Sequence, residues 1–150
     1  MAEPISFDRR EHELRADLAR VKEARDFAER CAIDFGFPLD ERYQLRLAMS
    51  EAVTNAIQHG SSSEDDPIWL AAAAEGSALA FYVRDTGRFV PRVTRGDSMP
   101  ESGRGLEFMR RLMDEVDLQP GDEGTLVRFS KRREDSPGGG LSPPMQTVSN

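Results

Sequence analysis

Residues 40–60 read DERYQLRLAMSEAVTNAIQHG, and this stretch has the pattern of one long amphipathic helix. Apolar side chains recur in it at three- and four-residue steps, the spacing of a helix face that packs on a core: Leu45, Met49, Ala52, Val53 and Ala56. Asp40 is suited to cap the start of the helix, and Gly60 is suited to end it. We therefore expect a helix from Asp40 to Gly60 that is packed along one face.

The same helix carries an unusual set of polar side chains. Glu51, Asn55 and His59 follow each other at four-residue steps, so they lie on one face of the helix. One interpretation is a solvated polar edge. The other is a site, in which the Asn55 oxygen ligates a hard cation such as magnesium and Glu51 handles a proton or a water molecule. His59 fits a structural cap of the helix end or a ligand contact.

The composition of the chain argues against several classes of protein. The chain has 150 residues, which suits one domain, and its 20 basic and 27 acidic residues give a net charge of −7. That balance argues against binding to nucleic acid or to an anionic membrane. No apolar run reaches membrane-spanning length and the N-terminus lacks a signal-peptide core, so we expect a soluble, cytoplasmic protein. The one cysteine, Cys31, is in phase with apolar neighbours and is interpreted as a core residue.

Outward from the long helix, the hydrophobic periods predict the other elements. We expect an edge strand at 12–18, a helix from Val21 that ends at Gly36, strands at 68–74, 79–83, 116–118 and 125–129, and a helix from 106. This order predicts an α+β fold, a two-layer sandwich of a mainly antiparallel sheet with helices on one face. We expect a flexible N-terminus at 1–11, one domain at 12–131 and a disordered tail at 132–150.

Three short polar motifs lie between these elements. Asp85-Thr86-Gly87 follows a strand, where a carboxylate can accept a hydrogen bond from an exocyclic amine. Ser102-Gly103-Arg104-Gly105 precedes the next expected helix, whose first N–H groups favour an anion. Gly124-Thr125 opens the last strand and offers a hydroxyl group. Each motif alone is also compatible with a plain turn or a flexible loop.

Taken in order, the motifs resemble the nucleotide-binding boxes of the GHKL ATPase superfamily, which includes gyrase-type ATPases and histidine kinases. Residues 50–60, SEAVTNAIQHG, are similar to the first box of the bacterial anti-sigma-factor serine/threonine kinases. Residues 84–87, RDTG, and 103–106, GRGL, fit the later boxes of that branch. The resemblance extends over about residues 12–131 and implies the GHKL fold.

The resemblance also implies roles for individual residues. Asn55 would hold the magnesium ion that bridges the ATP phosphates, and Glu51 would be the general base toward an attacking serine hydroxyl. Asp85 would bind the adenine amine, with Thr125 assisting and Gly87 packing beneath the base.

A lid over the phosphates is implied as well. Gly103, Arg104 and Gly105 would belong to it, and we expect the preceding loop, residues 88–102, to be mobile without nucleotide and to order when phosphates bind. Arg88 departs from the family pattern, since many relatives have a second glycine at this point.

The function implied is that of an ATP-dependent protein serine/threonine kinase that acts as an anti-sigma factor. Such a kinase phosphorylates an anti-sigma-factor antagonist, sequesters a sigma factor and is usually a homodimer. One alternative is an ATP-binding partner-switch module that transfers no phosphate, although Glu51 favours the kinase. Another is a detached histidine-kinase catalytic domain, which would need a phosphoacceptor helix pair for which we expect no room.

Overall fold

The computed structural model describes residues 7–86 and 100–134, the first five of the second range by their backbone alone. Its strands are β1 (Arg10–Arg15), β2 (Pro67–Glu75), β3 (Ala78–Asp85), β4 (Glu115–Gly121) and β5 (Gly124–Arg132). Its α-helices are α1 (Val21–Phe35), α2 (Leu39–Gly60) and α3 (Pro100–Leu112). The strands form one sheet in the order β1-β2-β3-β5-β4, and all neighbours are antiparallel. The predicted α+β fold is confirmed, with β1 at an edge as expected.

One face of the sheet and the helices form the core. The strand residues of the hydrophobic core occupy alternate positions and include Ile68, Leu70, Phe81, Val83 and Phe129. Phe81 and Phe129 are opposite each other across β3 and β5, with their ring centroids 5.4 Å apart. The apolar face predicted for α2 is buried as a whole. Because α2 packs on this layer, the position of its polar face relative to the sheet is fixed.

Cys31 lies in the same core, as predicted, and is buried on α1. Burial raises the pKa of its thiol to about 11, so the side chain is uncharged at neutral pH. Among the helices of the described ranges, none is both long and apolar enough to cross a bilayer.

The opposite face of the sheet carries a charged network around Arg128. Its guanidinium contacts Glu75, lies 2.9 Å from Glu115 and 3.6 Å from Asp117. Tyr82 also hydrogen-bonds to Glu75, and hydrogen bonds from Tyr82 and Arg128 lower the pKa of that carboxyl. The network joins β2, β3, β5 and β4 on the side away from the helices.

The predicted first strand, 12–18, lay too far along the chain, because β1 already begins at Arg10. β1 ends at Arg15, and Leu18 is 53% exposed at the start of a short 3₁₀ turn, Leu18–Arg20. Asp17 ends the extended run because its side chain accepts a hydrogen bond from the Ala19 N–H at 3.0 Å. The alternation of apolar residues therefore continues for one step beyond the strand that it predicts.

Two predicted helix starts were also wrong. α2 begins at Leu39 with Pro38 as the capping residue, so Asp40 lies inside the first turn and is not the cap. α3 begins at Pro100, so the motif from Ser102 to Gly105 lies within the helix and does not precede it. Pro100 holds the first position of α3, where its fixed φ suits a helix start, whereas Pro38 is the extended residue just before α2.

Candidate functional site

The C-terminal half of α2 presents the polar face predicted from the sequence. Glu51 and Asn55 are half-buried on successive turns, whereas His59 is exposed in the last turn. From Glu51 to Gly60 the helix advances by about 14 Å, at 1.5 Å per residue. One helix thus places a carboxylate, an amide and its own C-terminus along a single line.

Asp85 and Thr125 meet beside the end of that helix. Asp85 is the last residue of β3 and only 3% exposed, and Thr125, near the start of β5, is 5% exposed. The Thr125 backbone N–H donates a hydrogen bond to Asp85 Oδ1 at 3.1 Å. Two strands that are antiparallel neighbours therefore bring together a carboxylate and a hydroxyl separated by many residues in the chain.

Two glycines, which the sequence analysis assigned to a helix end and a strand start, hold Asp85 in place. Gly60 is buried at the end of α2, and a Cβ added there would lie 2.0 Å from Asp85 Oδ2. Gly124 has φ +131°, and a Cβ there would lie 2.0 Å from the Asp85 backbone oxygen. The helix end and the strand start approach Asp85 so closely that neither has room for a side chain.

The surroundings of the Thr125 hydroxyl indicate whether this end of the site can hold a ligand. Among the described residues, Thr125 Oγ1 is buried and has no hydrogen-bond partner. A buried polar atom without a partner carries a free-energy cost, so it needs a reason to be present. An acceptor carboxylate and an unpaired hydroxyl side by side can together receive and donate hydrogen bonds to the edge of a base such as adenine.

At the other end, α3 packs on α2 beside Glu51. Gly105 is buried, and a Cβ added there would lie 2.2 Å from Glu51 Oε2. The structure therefore brings together Glu51, Asn55 and Gly105 at one end of the α2 face and Asp85 and Thr125 at the other.

The remaining predicted site residues are only partly described. Gly87 and residues 88–99 of the expected loop lie outside the described residues, whereas residues 100–102 of that loop form the start of α3. Gly103 and Arg104 belong to the first turns of α3. Since only the first N–H groups of a helix lack partners inside it, Gly103 is still placed at an anion-favouring end. Gly105, two residues further along, is not.

Comparisons with known proteins agree with this arrangement. Residues 14–131 match the family of the histidine kinase-like ATPase domain. The anti-sigma F factor of Anoxybacillus flavithermus is 34% identical over 105 residues, which cover 62% of this chain and 70% of that protein. The serine-protein kinase RsbW of Bacillus subtilis is 34% identical over 110 residues, covering 64% and 68%.

A solved structure supports the fold independently. The RsbU and RsbW domains of Rv1364c from Mycobacterium tuberculosis superpose with a TM-score of 0.67 at 22% identity, over 95% of this chain and 35% of that one. At that identity the likeness concerns the fold alone. The family match and the two relatives lead further: the chain belongs to the histidine kinase-like ATPase domain family, in its branch of anti-sigma serine-protein kinases.

Proposed function

We propose that the chain is an ATP-dependent protein serine/threonine kinase that acts as an anti-sigma factor in a partner-switching system. It phosphorylates an antagonist protein on serine or threonine and sequesters a sigma factor. The observation that carries the proposal is the order of groups along α2: a base-binding pair at Asp85 and Thr125, then Asn55, then Glu51. That order follows the nucleotide from its base to its terminal phosphate.

At the adenine end, Asp85 accepts a hydrogen bond from the exocyclic amine, and Thr125 Oγ1 pairs with a ring nitrogen or a water beside it. The buried positions of both residues exclude competing solvent. On the sequence motifs alone, the proposal keeps Gly87 as a contact of the base and Gly103 and Arg104 as contacts of the phosphates.

At the phosphate end, the side-chain oxygen of Asn55 suits magnesium, which is commonly held by few protein oxygens together with substrate phosphates. When bound there, Mg²⁺ supplies neutralisation of the phosphate charge. Glu51 accepts the proton of the incoming serine hydroxyl as the new oxygen–phosphorus bond forms and the bond between the γ-phosphorus and its bridging oxygen breaks, releasing ADP. Most of the rate comes from positioning and charge stabilisation.

The proposal includes a cytoplasmic location, a homodimer and no direct contact with nucleic acid. We place the kinase domain at 10–132 in place of the expected 12–131, because β1 begins at Arg10 and β5 ends at Arg132. The second candidate is a module that binds ATP and a regulator without transfer. Glu51 favours the kinase, because a module that only binds nucleotide has no need of a carboxylate one turn from the metal ligand.

Incubation with labelled ATP, Mg²⁺ and a candidate antagonist from the same cell tests the proposal. We expect label on serine or threonine of the antagonist and none on histidine or aspartate. Nucleotide binding without any transfer would favour the binding module. No binding of Mg-ATP up to millimolar concentration, by calorimetry or thermal shift, would overturn both candidates.

Replacing Asp85 by Asn should weaken nucleotide binding by about 1.5–3 kcal/mol, the range for hydrogen bonds to a charged group. An amide placed here can turn its own donors toward the adenine amine, and it loses the charge that strengthens the bond. Calorimetry with Mg-ATP measures the change. Asp122→Asn, in the exposed turn between β4 and β5, is the matched control and should have no effect. An unchanged affinity in Asp85→Asn would remove this residue from the base pocket.

Thr125→Val should affect the nucleotide-free and nucleotide-bound proteins in opposite directions. Without nucleotide, valine removes a buried hydroxyl that lacks a partner, so the free energy of unfolding should stay equal or rise by about 1 kcal/mol. With nucleotide, the lost hydrogen bond should weaken binding. Denaturant unfolding and Mg-ATP titration check the two effects, and Thr125→Ser should keep the affinity. A variant that is destabilised and still binds normally would contradict the role of the hydroxyl.

A further inference from the structure

Gly105 lies in the interior of α3, where glycine is an unfavourable choice. Glycine lowers helix stability relative to alanine because its backbone loses more conformational freedom on folding. The described glycines with positive φ are Gly36, Gly76 and Gly124, so Gly105 is not needed for a left-handed conformation. Neither the helix nor the backbone angles explain a glycine here.

The contact with Glu51, across the interface between α3 and α2, does explain the glycine at position 105. A Cβ on Gly105 would lie 2.2 Å from Oε2, 2.9 Å from Cδ and 3.3 Å from Cγ of Glu51. The volume that a methyl group would take is therefore filled by the end of the Glu51 side chain. Since Gly105 is buried, the carboxylate rests directly on the α3 backbone.

We propose that Gly105 is a positioning residue that sets the place of the Glu51 carboxylate, an inference that rests on the proposed function of Glu51 as general base. A general base acts only within hydrogen-bond reach of its proton, and a displacement of about 1 Å costs about a hundredfold in rate. The α3 backbone at Gly105 determines where the Glu51 carboxylate can lie. Its position relative to α2 therefore decides whether the base can meet the acceptor hydroxyl.

This role differs from that of a lid over the phosphates. A lid residue contacts nucleotide, so its replacement should weaken nucleotide binding. A residue that seats the base should leave nucleotide binding intact and slow the transfer step. Because the atoms in conflict with an added Cβ belong to the far end of a flexible side chain, the folded protein can accept the change by moving Glu51.

The first experiment compares Gly105→Ala with the unchanged chain. We expect single-turnover transfer from ATP to the antagonist to fall about 30–100-fold. We expect the dissociation constant of Mg-ATP to change less than threefold and the melting temperature to stay equal or rise, since alanine favours the helix. Arg110→Ala, at an exposed position of α3, is the control and should leave all three quantities unchanged.

The second experiment repeats the change in a Glu51→Asp background, where the carboxylate is drawn back by one methylene. The added methyl at residue 105 then has room, so Gly105→Ala should cost less than threefold in transfer rate there. This non-additivity is the signature of direct contact between the two residues. If Gly105→Ala alone fails to fold, recovery of folding and transfer in the double variant supports the proposal, and absence of recovery overturns it.

Other outcomes distinguish a failure of the positioning role from a failure of the proposed function. An equal loss in both backgrounds, a wild-type rate in Gly105→Ala, or a fall in affinity as large as the fall in rate would overturn the positioning role and leave the kinase untouched. Normal transfer by Glu51→Gln would instead remove the base itself. Absence of transfer by the unchanged chain would overturn the proposed function, and the role of Gly105 with it.

Discussion

Replacing Glu51 by Gln is expected to slow phosphate transfer to the antagonist by about 10²–10⁴, the usual contribution of a general base. Affinity for Mg-ATP should stay within a few-fold, because the amide keeps the size of the side chain and Glu51 contributes little nucleotide contact. Sigma-factor capture should also survive, since it depends on the nucleotide-bound shape and not on proton transfer.

Single-turnover transfer, measured alongside nucleotide titration, gives the result. Asn55→Ala is the informative contrast: it removes the proposed metal ligand, so affinity and transfer should fall together. Glu107→Gln makes the same chemical change at an exposed position of α3 and should do nothing. Transfer at the wild-type rate by Glu51→Gln would show that the base assignment is wrong.

Gly124→Ala is expected to give the largest loss of stability, about 2–4 kcal/mol in the free energy of unfolding. Two effects combine: φ is +131°, and the added Cβ would lie 2.0 Å from the Asp85 backbone oxygen. Unlike the Glu51 side chain beside Gly105, a strand backbone cannot rotate away. The ends of β3 and β5 must separate, which also displaces the Asp85 carboxylate from the Thr125 N–H.

Thermal unfolding should show a melting temperature lowered by roughly 5–15 °C. Gly76→Ala is the matched control, since Gly76 has φ +64° while a Cβ there would meet no described atom within 4 Å. It reports the backbone strain alone and should cost about 1–2 kcal/mol. Equal losses in the two variants would mean that the approach of Gly124 to Asp85 contributes nothing.

The sequence was most informative where one local pattern decides the outcome. The apolar face of α2 follows from a helical period, and Asp85 at a strand end follows from an alternating run that stops at a turn. Both elements were predicted correctly, and the family was inferred from the order of the polar motifs that they carry. Boundaries were predicted less well, as the early starts of α2 at Leu39 and of α3 at Pro100 show.

Contacts between distant segments could not be predicted in the same way. Gly60, Gly105 and Gly124 look like ordinary helix-ending or loop glycines, because what requires each of them is a neighbour elsewhere in the chain. The amide that binds Asp85 belongs to Thr125, a pairing fixed only when β3 and β5 align. A single sequence cannot distinguish a glycine that makes room for a distant segment from a glycine that permits a turn.

The direction of α2, whose C-terminal end points at Asp85, has an electrostatic consequence. The 22-residue helix ends with the negative pole of its dipole, equivalent to about half a negative charge, against the buried Asp85 carboxylate. This end of the site therefore favours amine donors and disfavours phosphate. Because the dipole acts mainly within the last turn, it reaches the base and not the phosphates proposed beside Asn55 and Glu51. In the proposed kinase, α2 thus orients the nucleotide, with its amine toward the helix end and its phosphates away from it.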